Sequence, residues 1–370
     1  MRLTVLHAIP SLVGGGAERQ LSLLAPELCR LGVDTHVAYV HPGVNLAPLL
    51  ASPVNLHPLA CSGNHDPRIL LKLLRLIRDC RPDVVQTWLP QMDILAGVAA
   101  KLTATPFVLS ERSSAMAYGS GWKNRLRKLV GHRSTAVVAN SQSGVDYWGR
   151  QNGTRRVIRN GLALQAIRSA TPAQPETLGL PADARIVLFA GRLNAEKNVA
   201  TLLQALEVVL ERRPECAAVL FGQGPLHAPL RAQVEAMRGR KRVRLADFTP
   251  DLWRWMRRAS AFVSVSHFEG NPNTVLEAMA IGCPLVVSAI AQHREILDDT
   301  MARFCNPASS DDIAGAIDGV LSAPEQATKR AAAAIEAANA WSVERAARDY
   351  LDLYQELSRN SASPQGDGSP

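Results

Sequence analysis

The chain has 370 residues, 47% of them hydrophobic and 20% charged, with a formal net charge of +8. This length exceeds what one hydrophobic core supports, so two domains are expected, and the ordinary composition excludes a disordered or fibrous protein. No apolar run approaches the roughly 18 residues that would suggest a membrane-spanning helix, and the opening MRLTVLHAIP enters a strand-like run with no cleavage signal, unlike a signal peptide.

Six cysteines (Cys29, Cys61, Cys80, Cys216, Cys283, Cys305) occur without a C-x-x-C pair. That argues against a disulfide framework or a zinc site and for a reducing, cytoplasmic setting. Cys283, between Gly282 and Pro284, reads as a packing residue at a strand entrance. The charge is uneven: residues 1–165 hold 19 Lys+Arg against 9 Asp+Glu, and residues 166–370 hold 22 against 24. A basic first half suits an anionic partner.

In chain order, a strand over Leu3–Ile9 leads to Gly14-Gly15-Gly16. A helix follows, with Leu21, Leu24, Leu28 and Leu31 on one face, a stop at Gly32 and a kink or break expected at Pro26. Thr35–Val40 is the next strand, Arg68–Asp79 an amphipathic helix, and Val84–Trp88, Phe107–Ser110 and Ala136–Ala139 short apolar strands. Such alternation implies a parallel sheet covered by helices. Residues 166–184 are rich in Ala and Pro, lack a period, and read as a linker. A second alternation begins at Arg185. Its strands are Ile186–Ala190, Ala217–Phe221, Val243–Leu245, Ala261–Val265 and Leu285–Ser288. Its helices are Val199–Glu211, Ala228–Met237, Leu252–Arg258 and Asn273–Ala280. The polar, Gly- and Pro-rich end from residue 359 is expected to be disordered.

The chemistry concentrates in SHFEGNPNTVLEAMAIGCPLVVSAIAQHREIL, Ser266–Leu297. Asn271 suits a helix N-cap and Pro272 the first helical position. The amides of Asn273, Thr274 and Val275 would then meet a phosphate at a positive helix end. Glu269 precedes that helix and Glu277 lies inside it, placed to accept charge-assisted bonds from sugar hydroxyls on either side of a diphosphate. A hydrolase pair needs carboxylates roughly 5 to 9.5 Å apart, whereas eight residues of continuous helix would separate these by about 12 Å; the loop before the helix could shorten that, so the spacing disfavours a hydrolase without excluding it. Arg192 and Lys197, in GRLNAEKN after a strand, would neutralise a diphosphate leaving group at the sheet's C-terminal edge. Gly222 and Gly224 form a strand-to-helix glycine turn, assigned here to donor binding.

These features resemble the family 4 retaining glycosyltransferases of GT-B fold, over nearly the whole chain. The strongest motif is the Glu-x7-Glu pair, Glu269 and Glu277, within EGNPNTVLEAMAIGCPLVV. The resemblance implies an α/β protein of two facing Rossmann-like domains, residues 1–165 for the acceptor and 185–340 for the nucleotide sugar. A helix over 341–358 would cross back to the first domain. It implies donor phosphates on Arg192 and Lys197, the transferred sugar on Glu269, the ribose on Glu277, and Gly15 and Gly16 against donor and acceptor. No metal or cofactor is implied; the substrate would be a nucleoside-diphosphate sugar, UDP or GDP not resolved. Three positions depart from the family. Glu111 and Arg112, assigned to the acceptor side, stand where many relatives carry a histidine, Ala291-Gln292-His293 replace a Gly-Gly, and Asp247 replaces a glycine.

Gly121–Arg133 sets Lys123, Arg125, Arg127, Lys128 and Arg133 among Trp122, Leu126, Leu129 and Val130. This basic amphipathic stretch suits an anionic membrane surface and a lipid-linked or growing glycan acceptor. No nucleic-acid motif accompanies it. Two other classes stay open on the residues alone: another GT-B enzyme such as an epimerase or phosphorylase, and a non-catalytic binding subunit.

Overall fold

The computed structural model describes residues 2–64, 66–112, 121–149 and 153–362. The chain forms two compact units, one of Met1–Gly161 with Trp341–Pro370 and one of Leu162–Ala340.

In the first unit seven strands form one parallel sheet: β1 (Thr4–Ser11), β2 (Asp34–His41), β3 (Asn55–Pro58), β4 (Val84–Trp88), β5 (Phe107–Glu111), β6 (Ala136–Ala139) and β7 (Thr154–Val157). Their order is β3-β2-β1-β4-β5-β6-β7, so the winding reverses between β1 and β4. The central strands β1, β4, β5 and β6 are buried on both faces, as a parallel sheet covered by helices requires, while the edge strands β3 and β7 are partly exposed. One face packs Leu6, Ala8, Val85 and Leu109 against Ile69, Leu73 and Ile77 of the helix Arg68–Cys80. The other packs Val5, Ile9 and Val108 against Leu21, Leu24 and Leu28 of the helix Gly16–Arg30. That helix runs unbroken through Pro26, so the expected break does not occur; its buried leucine face outweighs the one missing N–H.

The second face is completed by the C-terminal helix Val343–Ala362, which adds Ala347, Tyr350, Leu353, Tyr354 and Leu357. Burying a large apolar side chain contributes about 1.5–3 kcal/mol, so this helix is part of the core. The Tyr354 hydroxyl donates to Gln86 on β4, and Arg156 pairs with Glu356. Gly161 lies so close to the start of this helix that a Cβ there would sit 2.6 Å from Val343 Cα. The helix extends to Ala362, so the residues from 359 that read as tail are helical at their start; 363–370 lie outside the described residues.

The second unit has six parallel strands: β8 (Arg185–Ala190), β9 (Cys216–Phe221), β10 (Val243–Ala246), β11 (Ala261–Ser264), β12 (Leu285–Ser288) and β13 (Arg303–Cys305). Their order is β10-β9-β8-β11-β12-β13, with the reversal between β8 and β11. Residues 166–184, read as a linker, instead belong to this unit. A short helix Leu164–Arg168 buries Ile167, and Ala173, Pro175 and Leu180 are buried in turn. Their apolar side chains find a surface that composition could not reveal.

The first unit also buries charge. Arg127, on the helix Trp122–Gly131, donates through Nε to Asp93 at 2.7 Å and through Nη2 to Glu111 at 3.0 Å, and all three are buried. Trp148 Nε1 adds a bond to Glu111 at 3.0 Å. Burial lifts the Asp93 carboxyl to about 6, against the pull of Arg127. On β1, His7 is fully buried and its Nδ1 accepts from Trp88 Nε1 at 3.2 Å. Desolvation, reinforced by Arg112, holds its imidazole at about 3.

Removing one partner of a buried ion pair strands the other charge and costs about 3–5 kcal/mol. Arg127→Leu should therefore lower the free energy of urea unfolding by that order, while Lys123→Glu on the exposed side of the same helix should stay within about 0.5 kcal/mol. His7 is neutral when folded but takes a proton when unfolded below its usual 6.5. The unfolded state then binds more protons, so stability falls as pH drops from about 6.5 toward 3. Asp93, raised to about 6, acts in the opposite sense over part of this window, so the comparison of denaturation midpoints between variants isolates His7: His7→Asn should lose less stability than wild type as pH falls from 6.5 to about 4.

Candidate donor site

The reversal between β8 and β11 brings two loops side by side at the C-terminal edge of the second sheet, the place where open α/β sheets bind ligands. After β8, Asn194 Oδ1 accepts from Lys197 N at 3.3 Å and closes the turn Ala195–Lys197. Asn198 follows in the left-handed region with φ of 56°, a conformation asparagine tolerates. Its Nδ2 donates to Val265 O at 3.2 Å and Pro307 O at 2.7 Å, tying together the loops after β8, β11 and β13. His267 N donates to Glu196 O at 2.8 Å and fixes the same two loops a second time.

Between these ties Lys197 Nζ donates to both oxygens of Glu269, at 2.6 and 2.7 Å. Ser266 Oγ donates to Glu269 Oε1 at 2.6 Å. Glu269 is 7% exposed and the Lys197 side chain 19%, so the carboxylate is buried and the lysine partly open to solvent. Arg192 is exposed and makes no ion pair among the described residues, which leaves its guanidinium able to meet an anion.

The next helix runs Asn273–Ile281 and is closed by Gly282 at φ of 76°. It begins later than the Asn271 cap supposed. Pro272 occupies the cap position, no side chain caps it, and Asn273 N is bonded to Asn271 O at 2.9 Å. The amides of Thr274 and Val275 remain in a first turn without helical acceptors, since the first such bond is Leu276 N to Pro272 O at 3.0 Å. Glu269 and Glu277 are thus not joined by continuous helix, so that basis for their spacing falls away. Glu277 is 4% exposed and accepts from Trp253 Nε1 at 2.9 Å.

Gly222 and Gly224 have a packing task. A Cβ on Gly222 would lie 2.0 Å from Gly191 O, and one on Gly224 2.4 Å from Leu193 O. The amide of Gly222 is taken by Ala246 O, so its donor-binding assignment is not served by that group. Cys283 is buried and desolvation pushes its thiol up to about 12, consistent with packing.

Sequence reading missed four groups here: Asn198, Trp253, Ser266 and His293. His293 is wholly buried beside β12, with Nδ1 at 2.9 Å from Ser288 O. The -x-x-Glu spacing of Ser266 could have marked one of them, and His293 stood out only within a stretch that departs from the family.

The first unit holds the remaining assigned residues. Gly15 and Gly16 open the helix Gly16–Arg30 at the C-terminal end of β1, and the extended Gly15 accepts from Arg19 N. Glu111 and Arg127 must be withdrawn from an acceptor or membrane face, because they are buried against each other. Arg112 lies over the Trp88 ring at 4.3 Å, donates to Asn160 Oδ1 at 3.1 Å and bonds Tyr350. Lys123 and Arg125 are exposed, and Lys128 sits over Tyr147 at 4.3 Å.

Residues 14–166 match the family model described as Glycosyltransferase Family 4, and residues 171–340 the model described as Glycosyl transferases group 1. The chain is 30% identical over 282 residues to a glycogen synthase of Mycobacterium tuberculosis, covering 71% of this chain and 66% of that one. It is 25% identical over 246 residues to the Escherichia coli UDP-Gal:alpha-D-GlcNAc-diphosphoundecaprenol alpha-1,3-galactosyltransferase, covering 61% and 62%. The matched stretch thus spans a little under two thirds of these curated relatives. The crystal structure of Anabaena HepE in complex with UDP and glucose superposes with a TM-score of 0.83 at 20% identity, over 96% of this chain and 100% of that one. Sucrose-phosphate synthase from Thermosynechococcus elongatus superposes at 0.78 and 17% identity, over 97% and 100%. With both halves matched in order and two Rossmann-like sheets in place, the chain belongs to the GT-B glycosyltransferases of family 4.

Proposed function

We propose that the protein is a retaining glycosyltransferase that moves a sugar from a nucleoside-diphosphate sugar to an acceptor hydroxyl. The observation that carries this reading is the Lys197–Glu269 pair, fixed on adjacent loops at the winding reversal beside the first turn of Asn273–Ile281. A diphosphate engages Lys197, the exposed Arg192 and the amides of Thr274 and Val275, which together neutralise it as it leaves. No metal is required for that task. Glu269 accepts from a hydroxyl of the transferred sugar, and Glu277, oriented by Trp253, from the ribose. The bond from the anomeric carbon to the diphosphate breaks, a bond to the acceptor oxygen forms on the same face, and the acceptor proton passes to a phosphate oxygen.

The acceptor in this reading is a lipid-linked or growing glycan of a cell-surface polysaccharide. The Escherichia coli relative bears a name that specifies a diphosphoundecaprenol acceptor. No helix among the described residues is long and apolar enough to cross a membrane. The exposed side of Trp122–Gly131 instead offers Trp122 (69% exposed), Leu129, Lys123 and Arg125 to an anionic surface, apolar and basic groups together as interfacial binding needs. The enzyme then works peripherally on the inner face of the cytoplasmic membrane.

A thermal-shift panel of UDP, GDP and their sugars tests the donor. The correct ligand at about 100 times its Kd should add about 2.7 kcal/mol, and a flat panel would refute the assignment. Glu269→Ala and Lys197→Ala should each cut transfer at least about a hundredfold while melting as cooperatively as wild type. Vesicles of phosphatidylglycerol should sediment the protein at low salt, and charge reversal at Lys123, Arg125 and Lys128 should release it. Equal sedimentation of that variant would end the membrane proposal.

A further inference from the structure

Behind Glu269 lies a chain of bonds that the reaction as proposed does not use. Glu269 Oε1 takes two donors, Lys197 Nζ at 2.6 Å and Ser266 Oγ at 2.6 Å. Ser266 is held in turn, since its carbonyl accepts from Ser288 Oγ at 2.7 Å. Ser288 is held by His293, whose Nδ1 lies 2.9 Å from Ser288 O and 3.2 Å from Ser288 Oγ. A carbonyl can only accept, so Nδ1 carries the proton and donates. Ser266, Ser288 and His293 are all buried.

Two features set His293 apart from a packing residue. Its Nε2 is buried and has no partner among the described residues. An orphaned buried polar atom is destabilising, so an apolar side chain would serve a core position better. Residues that break a local rule in this way concentrate at functional sites. The second feature is what happens to Glu269 when a donor arrives. A diphosphate draws Lys197 toward itself, and Ser266 is then the remaining bond that fixes the carboxylate.

We propose that His293, acting through Ser288 and Ser266, holds the Glu269 carboxylate in position once a donor diphosphate has engaged Lys197. His293 is thus a positioning residue for sugar transfer. The inference rests on the reading that Glu269 contacts the transferred sugar. Burial lowers the pKa of His293, so the ring is neutral and adds no charge behind the carboxylate. The imidazole fixes geometry, and its loss should appear in turnover more than in donor affinity.

The test follows nucleoside diphosphate release from whichever of UDP-glucose, UDP-galactose and GDP-mannose the wild type turns over fastest. His293→Leu and Ser266→Ala should each lower kcat about tenfold or more and leave donor KM within about twofold. The double variant should be no slower than the slower single, because both act on one carboxylate. His293→Asn should recover most of kcat, since its amide can still donate to the Ser288 carbonyl. Ser288→Ala breaks the same chain and carries the test should His293→Leu not fold. Wild-type kcat in His293→Leu or Ser288→Ala, multiplying losses in the double variant, or a loss confined to KM would overturn the proposal. Glu269→Gln separates the two levels: wild-type release in that variant would sink the site assignment itself, whatever the histidine variants do.

Discussion

The second unit depends on the adjacency of β8 and β11. These strands are 72 residues apart at Lys197 and Glu269, yet the reversal in strand order makes their loops neighbours. Lysine and glutamate then meet at hydrogen-bond distance in a half-buried setting, where each neutralises the other's desolvation cost. The surrounding bonds serve that meeting. Asn198 clamps three loops, His267 and Glu196 join two, and Gly222 and Gly224 let the next loop press against Gly191–Leu193. An anion that replaces Glu269 as the partner of Lys197 enters a site already desolvated and already shaped.

The first unit handles charge in a different way. Its basic excess is not all surface. Arg127 is spent inside, between Asp93 and Glu111, and Arg112 is stacked on Trp88. What remains outside on the helix Trp122–Gly131 is a narrower face carrying Lys123 and Arg125 beside Trp122 and Leu129. The buried arginine joins that helix to β5 and to the helix that follows β4, so the position of the exposed face is set by an interior ion network.

Much of this was legible in the sequence, and the part that was not has a common cause. Hydrophobic period and breaker residues located the strands and the long helices, because those signals are local. The Glu-x7-Glu spacing marked Glu269 and Glu277, and the loop composition marked Arg192 and Lys197. Bonds across strands were hidden: Ser266 to Glu269 is three residues apart, but Trp253 to Glu277, Asn198 to Val265 and Arg127 to Asp93 depend on strand order. The pattern of Trp122–Gly131 made Arg127 look like its basic neighbours, since helical spacing alone cannot show which carboxylates lie beneath. Residues 166–184 looked like a linker because their apolar side chains are too few to show a period, yet enough to anchor on a finished surface. The cap of the helix Asn273–Ile281 was misjudged by one residue, Asn271 for Pro272, within the usual uncertainty of termini.

The return of the chain to its first unit has a consequence for how the protein is made. Tyr350, Leu353, Tyr354 and Leu357 complete a core whose other members lie before Gly161. On the ribosome the first unit emerges first but lacks one wall of that core, while the second unit, Leu162–Ala340, is contiguous and can close as soon as it is synthesised. The order of completion is therefore the reverse of the order of synthesis. Throughout elongation the side of β4 and of the helix Gly16–Arg30 that Tyr350, Leu353, Tyr354 and Leu357 later cover is the surface a chaperone would shelter.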